Sequence, residues 1–303
     1  MMLRRRIRRA RGLDTGAKRL ICNSIVMMNQ QYAYVTGAAS GCGLAISTFL
    51  VRKGVKVFLT DFDEKKLRVA AEQLRSPFAV VNVADWESQV KGFKEAVSQF
   101  GRIDYVYPIA GIGENSWIPP LSSDQLPDDF AKPNLSIIEI NITGLLYSIA
   151  LALQQFRRQD VGKHGYRGKI LCPGSIMGIY PCAGNPIYNT SKHAVTGLVR
   201  SYGRQLPGER ITMNAFCPSS IRTEFSNDDY YKKLEEEDLV TPMEGVLEVV
   251  EKTFGTSDIS GECFEIGPNY HKGQGLVKPK FPDYIDGEMR RVFELINARG
   301  NAK

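Results

Sequence analysis

Residues 36–43 read Thr36-Gly37-Ala38-Ala39-Ser40-Gly41-Cys42-Gly43. A short apolar run, Tyr32–Thr36, leads into them, and a stretch with helical spacing, Leu44–Lys53, follows. Three glycines at a strand-to-helix turn let the backbone approach a pyrophosphate closely. The helix N-terminus then supplies free N–H groups and the positive end of its dipole. The spacing is TGxxxGxG, which differs from the GxGxxG of the general dinucleotide fingerprint. Tight packing in an α/β protein is the competing reading of the same glycines.

Outward from this turn the chain alternates. Strands are predicted at Val55–Thr60, Phe78–Val81, Ile103–Ile109, Lys169–Leu171, Ile211–Phe216 and Gly261–Ile266. Helices are predicted at Glu64–Arg75, Trp86–Phe100, about 134–157 and 186–206, with weaker helical spacing over 286–298. The prolines 119, 120, 127 and 133 mark 112–133 as irregular. Strands alternating with helices imply βαβ units and right-handed crossovers: a doubly wound parallel α/β sheet in one domain, with helices on both faces. The domain is placed at 31–267, between a basic extension at 1–30 and a C-terminal extension at 268–303.

With 39 basic and 33 acidic residues the 303-residue chain carries +6. Residues 1–20 alone carry +7, from Arg4, Arg5, Arg6, Arg8, Arg9, Arg11, Lys18 and Arg19 against Asp14, so the rest sums to −1. A nucleic-acid-binding body would keep its charge without such a tail, so no nucleic-acid partner is expected. The tail is Arg-rich like a mitochondrial presequence. Its poverty in serine, with Gly12 and Gly16, fits instead a disordered upstream extension before a start at Met27 or Met28. The expected location is cytoplasmic, or mitochondrial if residues 1–27 are a targeting segment. No apolar run approaches the roughly 20 residues that cross a bilayer, so no membrane span is expected. The six cysteines form neither a CxxC nor a Cys/His cluster, which suggests free thiols, a reducing compartment and no metal site.

Asp61 closes the second predicted strand, 24 residues after Gly37. An acid there accepts hydrogen bonds from the adenosine ribose hydroxyls and repels a 2′-phosphate, favouring NAD over NADP. Tyr188 and Lys192 are four apart on a predicted helix and so share a face. A free phenol titrates near about 10, and bringing it to about 7 needs roughly 4 kcal/mol, which a neighbouring ammonium helps to supply.

Ser175 lies 13 residues before Tyr188, and Asn141 lies 47 before it. Together with TGxxxGxG and YxxxK, this set resembles the short-chain dehydrogenase/reductase family, in its shorter branch, over about residues 31–267. The resemblance implies a Rossmann-type sheet with Tyr188 as acid/base and Lys192 as the group that lowers its pKa and holds the nicotinamide ribose. It implies further that Ser175 binds the reacting oxygen and that Asn141 holds a relay water. The same resemblance places the cofactor against Gly37, Ser40, Gly41, Cys42, Gly43, Asp61, Asn82, Val83, Ala110, Gly111, Tyr188, Lys192, Pro218, Ile221 and Thr223.

Three positions depart from the family pattern. Asn82 stands for the usual Asp, Pro108-Ile109 precedes Ala110-Gly111 where relatives have two asparagines, and Ser219 follows Pro218 where a glycine is usual. The stretch from Tyr188 to Gly197 and the ending Gly261–Ile266 resemble NAD-dependent 15-hydroxyprostaglandin dehydrogenase-like members. Fungal secondary-metabolite dehydrogenases share those features.

Three segments are expected to wall a substrate site: 112–126, 176–187 and 219–242. They offer Trp117, Ile118, Ile176, Met177, Ile179, Tyr180, Phe225, Tyr230 and Tyr231, which suits a bulky, mostly apolar secondary alcohol or ketone. The expected function is NAD-dependent hydride transfer in a homodimer or homotetramer. The alternatives are an NADPH-dependent ketone reductase and a catalytically silent cofactor-binding scaffold.

Overall fold

The computed structural model describes residues 30–114, 116–118, 130–283 and 285–300. The expectations placed on residues 1–29 and on 119–126 therefore lie outside the described residues. Seven parallel strands form one sheet: β1 (Tyr32–Thr36), β2 (Lys56–Asp61), β3 (Phe78–Val80), β4 (Tyr105–Pro108), β5 (Gly168–Pro173), β6 (Ile211–Pro218) and β7 (Cys263–Ile266). Their order is β3-β2-β1-β4-β5-β6-β7, so the winding reverses between β1 and β4. That reversal opens a crevice at the carboxyl ends of the strands, where ligands of such sheets bind.

Both faces of the sheet are buried, as all-parallel strands require. Tyr32, Tyr34, Phe58, Val106, Ile170 and Met213 fill one side. Ala33, Val35, Val57, Leu59, Leu171 and Phe264, one residue out of phase, fill the other. The helices α1 (Gly41–Arg52), α2 (Glu64–Leu74), α3 (Trp86–Phe100), α4 (Ser136–Arg158), α5 (Pro186–Tyr202), α6 (Asp228–Glu236), α7 (Met243–Thr253) and α8 (Gly287–Gly300) complete the described elements.

The predicted elements are present with shifted ends. α1 begins at Gly41, three residues before the apolar spacing starts. β4 is shorter than 103–109, and β5 and β6 are longer than predicted. α5 stops at Tyr202, because Gly203 passes tightly under the backbone of Val199, Met213 and Gly261 before Pro207 opens a short 3-10 turn. Two helices went unpredicted. α6 is capped by Asn227 and bears an almost wholly polar surface, while α7 buries Val246, Val249 and Val250.

The expectation that no apolar run reaches bilayer length needs correcting. α4 runs 23 residues, with an 18-residue window of mean hydropathy 1.7. Within the fold it is a core helix that buries Leu145, Ile149, Ala152, Leu153 and Phe156. The C-terminal extension covers the open edge of the sheet, where Glu265 of β7 and Val277 exchange backbone hydrogen bonds of 2.7 and 3.1 Å.

Candidate active site

The glycine turn crosses directly over the end of β4. Gly37 has φ +65°, and a β-carbon on it would stand 2.8 Å from the Ala110 backbone. A β-carbon on Gly43 would lie 1.9 Å from the Gly37 carbonyl oxygen. No side chain fits either position, so the turn lies flat and the start of α1 stays open. Ser40, at the N-cap, makes no side-chain cap bond to the first turn. The cradle fits a dinucleotide pyrophosphate, with the N–H groups of Gly41, Cys42 and Gly43 as donors.

Asp61 is half-buried at the end of β2. Its Oδ2 accepts from Ala39 N–H and its Oδ1 from Asp63 N–H, both at 3.0 Å, which ties the carboxylate to the glycine turn. Asn82 is exposed, and its Oδ1 accepts from Ala84 N–H. Val83 is buried, its carbonyl taken by Gln89 on α3. Burial pushes the Cys42 thiol up to about 11, which leaves it a small apolar filler.

At Pro108-Ile109 the missing asparagines are replaced by another tie. The Thr36 hydroxyl accepts from Ala110 N–H at 3.2 Å, and Pro108, last in β4, pairs with Thr36. Ile109 packs into the core instead. Ser219 donates its N–H to Ile266 at 2.9 Å and does not adopt the left-handed backbone that favours glycine.

The candidate catalytic side chains follow β5 and open α5. Ser175 caps a single 3-10 turn (Ile176–Gly178), accepting from Met177 N–H at 3.1 Å. One helical turn after Tyr188, buried Lys192 donates from Nζ to the Pro173 carbonyl at 2.9 Å and sits 5.3 Å from the centre of the Tyr188 ring. Burial lowers Lys192 to about 8. It also pushes the Tyr188 phenol up, and the Ser175 hydroxyl draws it part of the way back. In the protein by itself, desolvation sets the direction, and the lowering that the sequence predicts from Lys192 is not among its causes.

Asn141 is buried in a π-helical turn (Glu139–Gly144) within α4. Such turns break the regular hydrogen-bond ladder and cluster at functional sites. Here the Asn141 amide grips Ile112 at two points: Oδ1 accepts from Ile112 N–H at 2.8 Å, and Nδ2 donates to Ile112 O at 2.9 Å. A second Nδ2 contact reaches Ser191 Oγ at 3.3 Å. Asn141 thereby pins the loop that leaves β4 beside Gly111.

Pro218 ends β6, and the chain then crosses above the glycine turn. Ile221 is buried and its carbonyl accepts from Tyr231 Oη, while the Thr223 methyl lies against Gly41. Phe225 stands edge-on to the Tyr188 ring at 5.6 Å and is 47% exposed. Among the expected wall residues, Tyr231 is a buried support and Tyr180 turns outward to the Glu265 carboxylate. Trp117, Ile118, Ile176, Met177 and Phe225 keep exposed or half-exposed surface.

Glu114 is the residue that sequence reasoning missed. Its Oε2 accepts the N–H of Tyr188 at 2.6 Å. The signal available was a single carboxylate among the apolar and small residues that follow β4.

Residues 31–233 match the short chain dehydrogenase family, and the chain belongs to it. That family consists of nicotinamide-dependent oxidoreductases. The short-chain dehydrogenase/reductase ascJ of Acremonium egyptiacum is 30% identical over 200 residues, covering 65% of this chain and 66% of that protein. The human 15-hydroxyprostaglandin dehydrogenase [NAD(+)] is 29% identical over 206 residues, covering 65% and 70%. The match thus spans just under two thirds of the ascJ protein's length and somewhat more of the human enzyme's. Among solved structures, a 3-ketoacyl-(acyl-carrier-protein) reductase from Brucella melitensis complexed with NADH superposes with a TM-score of 0.68 at 19% identity, over 78% of this chain and 97% of that one.

Proposed function

We propose that this protein is an NAD-dependent oxidoreductase that moves hydride between nicotinamide and a bulky, mostly apolar secondary alcohol or its ketone. One observation carries the reading: buried Lys192 sits 5.3 Å from the centre of the Tyr188 ring and is held at 2.9 Å by the Pro173 carbonyl, two residues before Ser175. When bound, the nicotinamide supplies the hydride acceptor for oxidation and the hydride donor for reduction.

The protein's own residues handle the proton and the geometry. Tyr188 Oη takes the proton of the carbinol hydroxyl, or returns one to the ketone oxygen. Ser175 Oγ holds the reacting oxygen beside it. Lys192 favours the phenolate by its charge, and its burial makes that charge count for more than it would in water. Asn141 acts through Ile112, keeping the β4 loop clear of the crevice. Asp61 accepts the ribose hydroxyls and opposes a 2′-phosphate. In the relatives, the NAD(+) in the human enzyme's name and the NADH in the Brucella complex agree with that preference. A homodimer or homotetramer through α4 and α5 accompanies the reading, with Leu146 of α4 left 43% exposed.

The test is absorbance at the reduced-nicotinamide band with 1-phenylethanol, 2-octanol and related secondary alcohols, using NAD and NADP separately. Turnover with NAD, at least tenfold slower with NADP, is expected. Faster reaction of ketones with NADPH would make the protein a reductase of the other cofactor class. No reaction in either direction would leave a scaffold without chemistry.

A further inference from the structure

Glu114 occupies a place that nothing in the hydride-transfer scheme uses. It lies on the loop leaving β4, two residues after the Ile112 backbone gripped by Asn141. Its Oε2 binds the N–H of Tyr188, in the first turn of α5. Asn185, the N-cap of that helix, makes no side-chain cap bond, so Glu114 caps it from across the crevice. The other carboxylate oxygen, Oε1, is shielded from solvent, and among the described residues no donor reaches it.

This is an unusual arrangement for a carboxylate. Buried polar atoms are nearly always hydrogen-bonded, and one left without a partner destabilises the fold. A cap alone does not require a carboxylate, since the carbonyl of a glutamine would accept the Tyr188 N–H equally well. The spare oxygen lies in the right neighbourhood for substrate. A β-carbon on Gly113 would stand 3.1 Å from the ring of Phe225, and that ring stands edge-on to Tyr188. Phe225 is nearly half exposed, so its ring is the group beside Tyr188 that a substrate would meet.

We propose that Glu114 is the polar specificity determinant of the substrate site: its Oε1 accepts a hydrogen bond from a donor group, hydroxyl or ammonium, carried one or two bonds from the reacting carbinol. The inference rests on the secondary-alcohol reading above and sharpens it. The preferred substrate is then apolar in bulk but bears a second donor next to the reacting centre. A site with a buried acceptor waiting for that donor discriminates strongly against the analogue that lacks it.

The test compares 1-phenylethanol, 1-phenyl-1,2-ethanediol and 2-amino-1-phenylethanol with wild-type protein and Glu114→Gln, as kcat/KM with NAD. Wild type is expected to favour one of the two donor-bearing alcohols over 1-phenylethanol by about tenfold or more. Which of them it favours tells hydroxyl from ammonium. In Glu114→Gln that ratio is expected to fall to about one. The melting temperature should stay level, because the glutamine carbonyl keeps the bond to Tyr188 N–H and an uncharged amide group takes the place of the unpartnered carboxylate oxygen.

A wild-type ratio near one, or the same ratio in both proteins, overturns the assignment. So does a lowered melting temperature in Glu114→Gln with the ratio intact, which would mark a structural cap. If wild type oxidises none of the three alcohols, the secondary-alcohol reading itself fails. The assignment is then judged by titrating the same alcohols into the protein–NADH complex and following nicotinamide fluorescence. Equal binding of all three would overturn it there too.

Discussion

The two halves of the crevice are built by different means. On the cofactor side, from β1 to the end of β4, backbone geometry decides everything. Gly37 and Gly43 leave no room for a β-carbon, and both oxygens of Asp61 are occupied by backbone N–H groups. On the substrate side, the loops after β4 and β6 carry exposed aromatic rings and a carboxylate with only one oxygen engaged. A surface made of satisfied backbone accepts one ligand, whereas a surface of loosely held side chains can change its ligand without disturbing the sheet.

The largest effect is expected at the boundary between the halves. Tyr188→Phe should cut turnover by about a thousandfold or more while NADH affinity changes less than about threefold, because only the ionisable oxygen is lost. Turnover within tenfold of wild type would remove Tyr188 from the chemistry and dissolve the boundary.

Lys192 offers a second probe, through pH. Burial holds it at about 8 in the folded protein, below its ordinary 10.5. The folded state therefore gives up this proton first, and the cost of burying the charge, on the order of 3 kcal/mol, disappears as pH rises from about 8 to 10.5. Urea unfolding of wild type and Lys192→Met should show the variant more stable at pH 7 and the gap closing toward pH 10. A gap independent of pH would mean the ammonium is not desolvated.

Three alanine substitutions set the halves side by side. Gly43→Ala forces a β-carbon onto the Gly37 carbonyl and should destabilise the protein by about 1–3 kcal/mol, with NADH binding lost alongside. Asp61→Ala should weaken NADH about tenfold and narrow its margin over NADPH, read by fluorescence titration. Gly184→Ala, in the segment between the Ser175 turn and α5, meets open space and should change stability by less than about 0.5 kcal/mol. Equal losses at Gly43 and Gly184 would contradict the contrast between a backbone-built and a side-chain-built half.

The same contrast explains what could be read from the chain alone. β1 and β2 follow from short, continuous apolar or β-branched runs and α3 from helical spacing, so their positions agree closely with the structure. The glycine turn was legible because steric exclusion leaves a signature in residue type. α6 was not, since its face is nearly all polar and its only anchor is Tyr231. The π-helical turn at Glu139–Gly144 leaves no periodic trace, because one extra residue per turn over six residues is lost within an apolar helix. Glu114 acts through a single contact across 74 residues of chain, and no local pattern announces such a pair.

The central claim is that the crevice is an intact NAD site served by Tyr188, Ser175 and Lys192. Titration of NADH and NADPH separately into the full chain, followed by nicotinamide fluorescence, tests it most directly. NADH binding at least tenfold tighter than NADPH is the expected result. Binding of neither, with the protein folded, would contradict the claim.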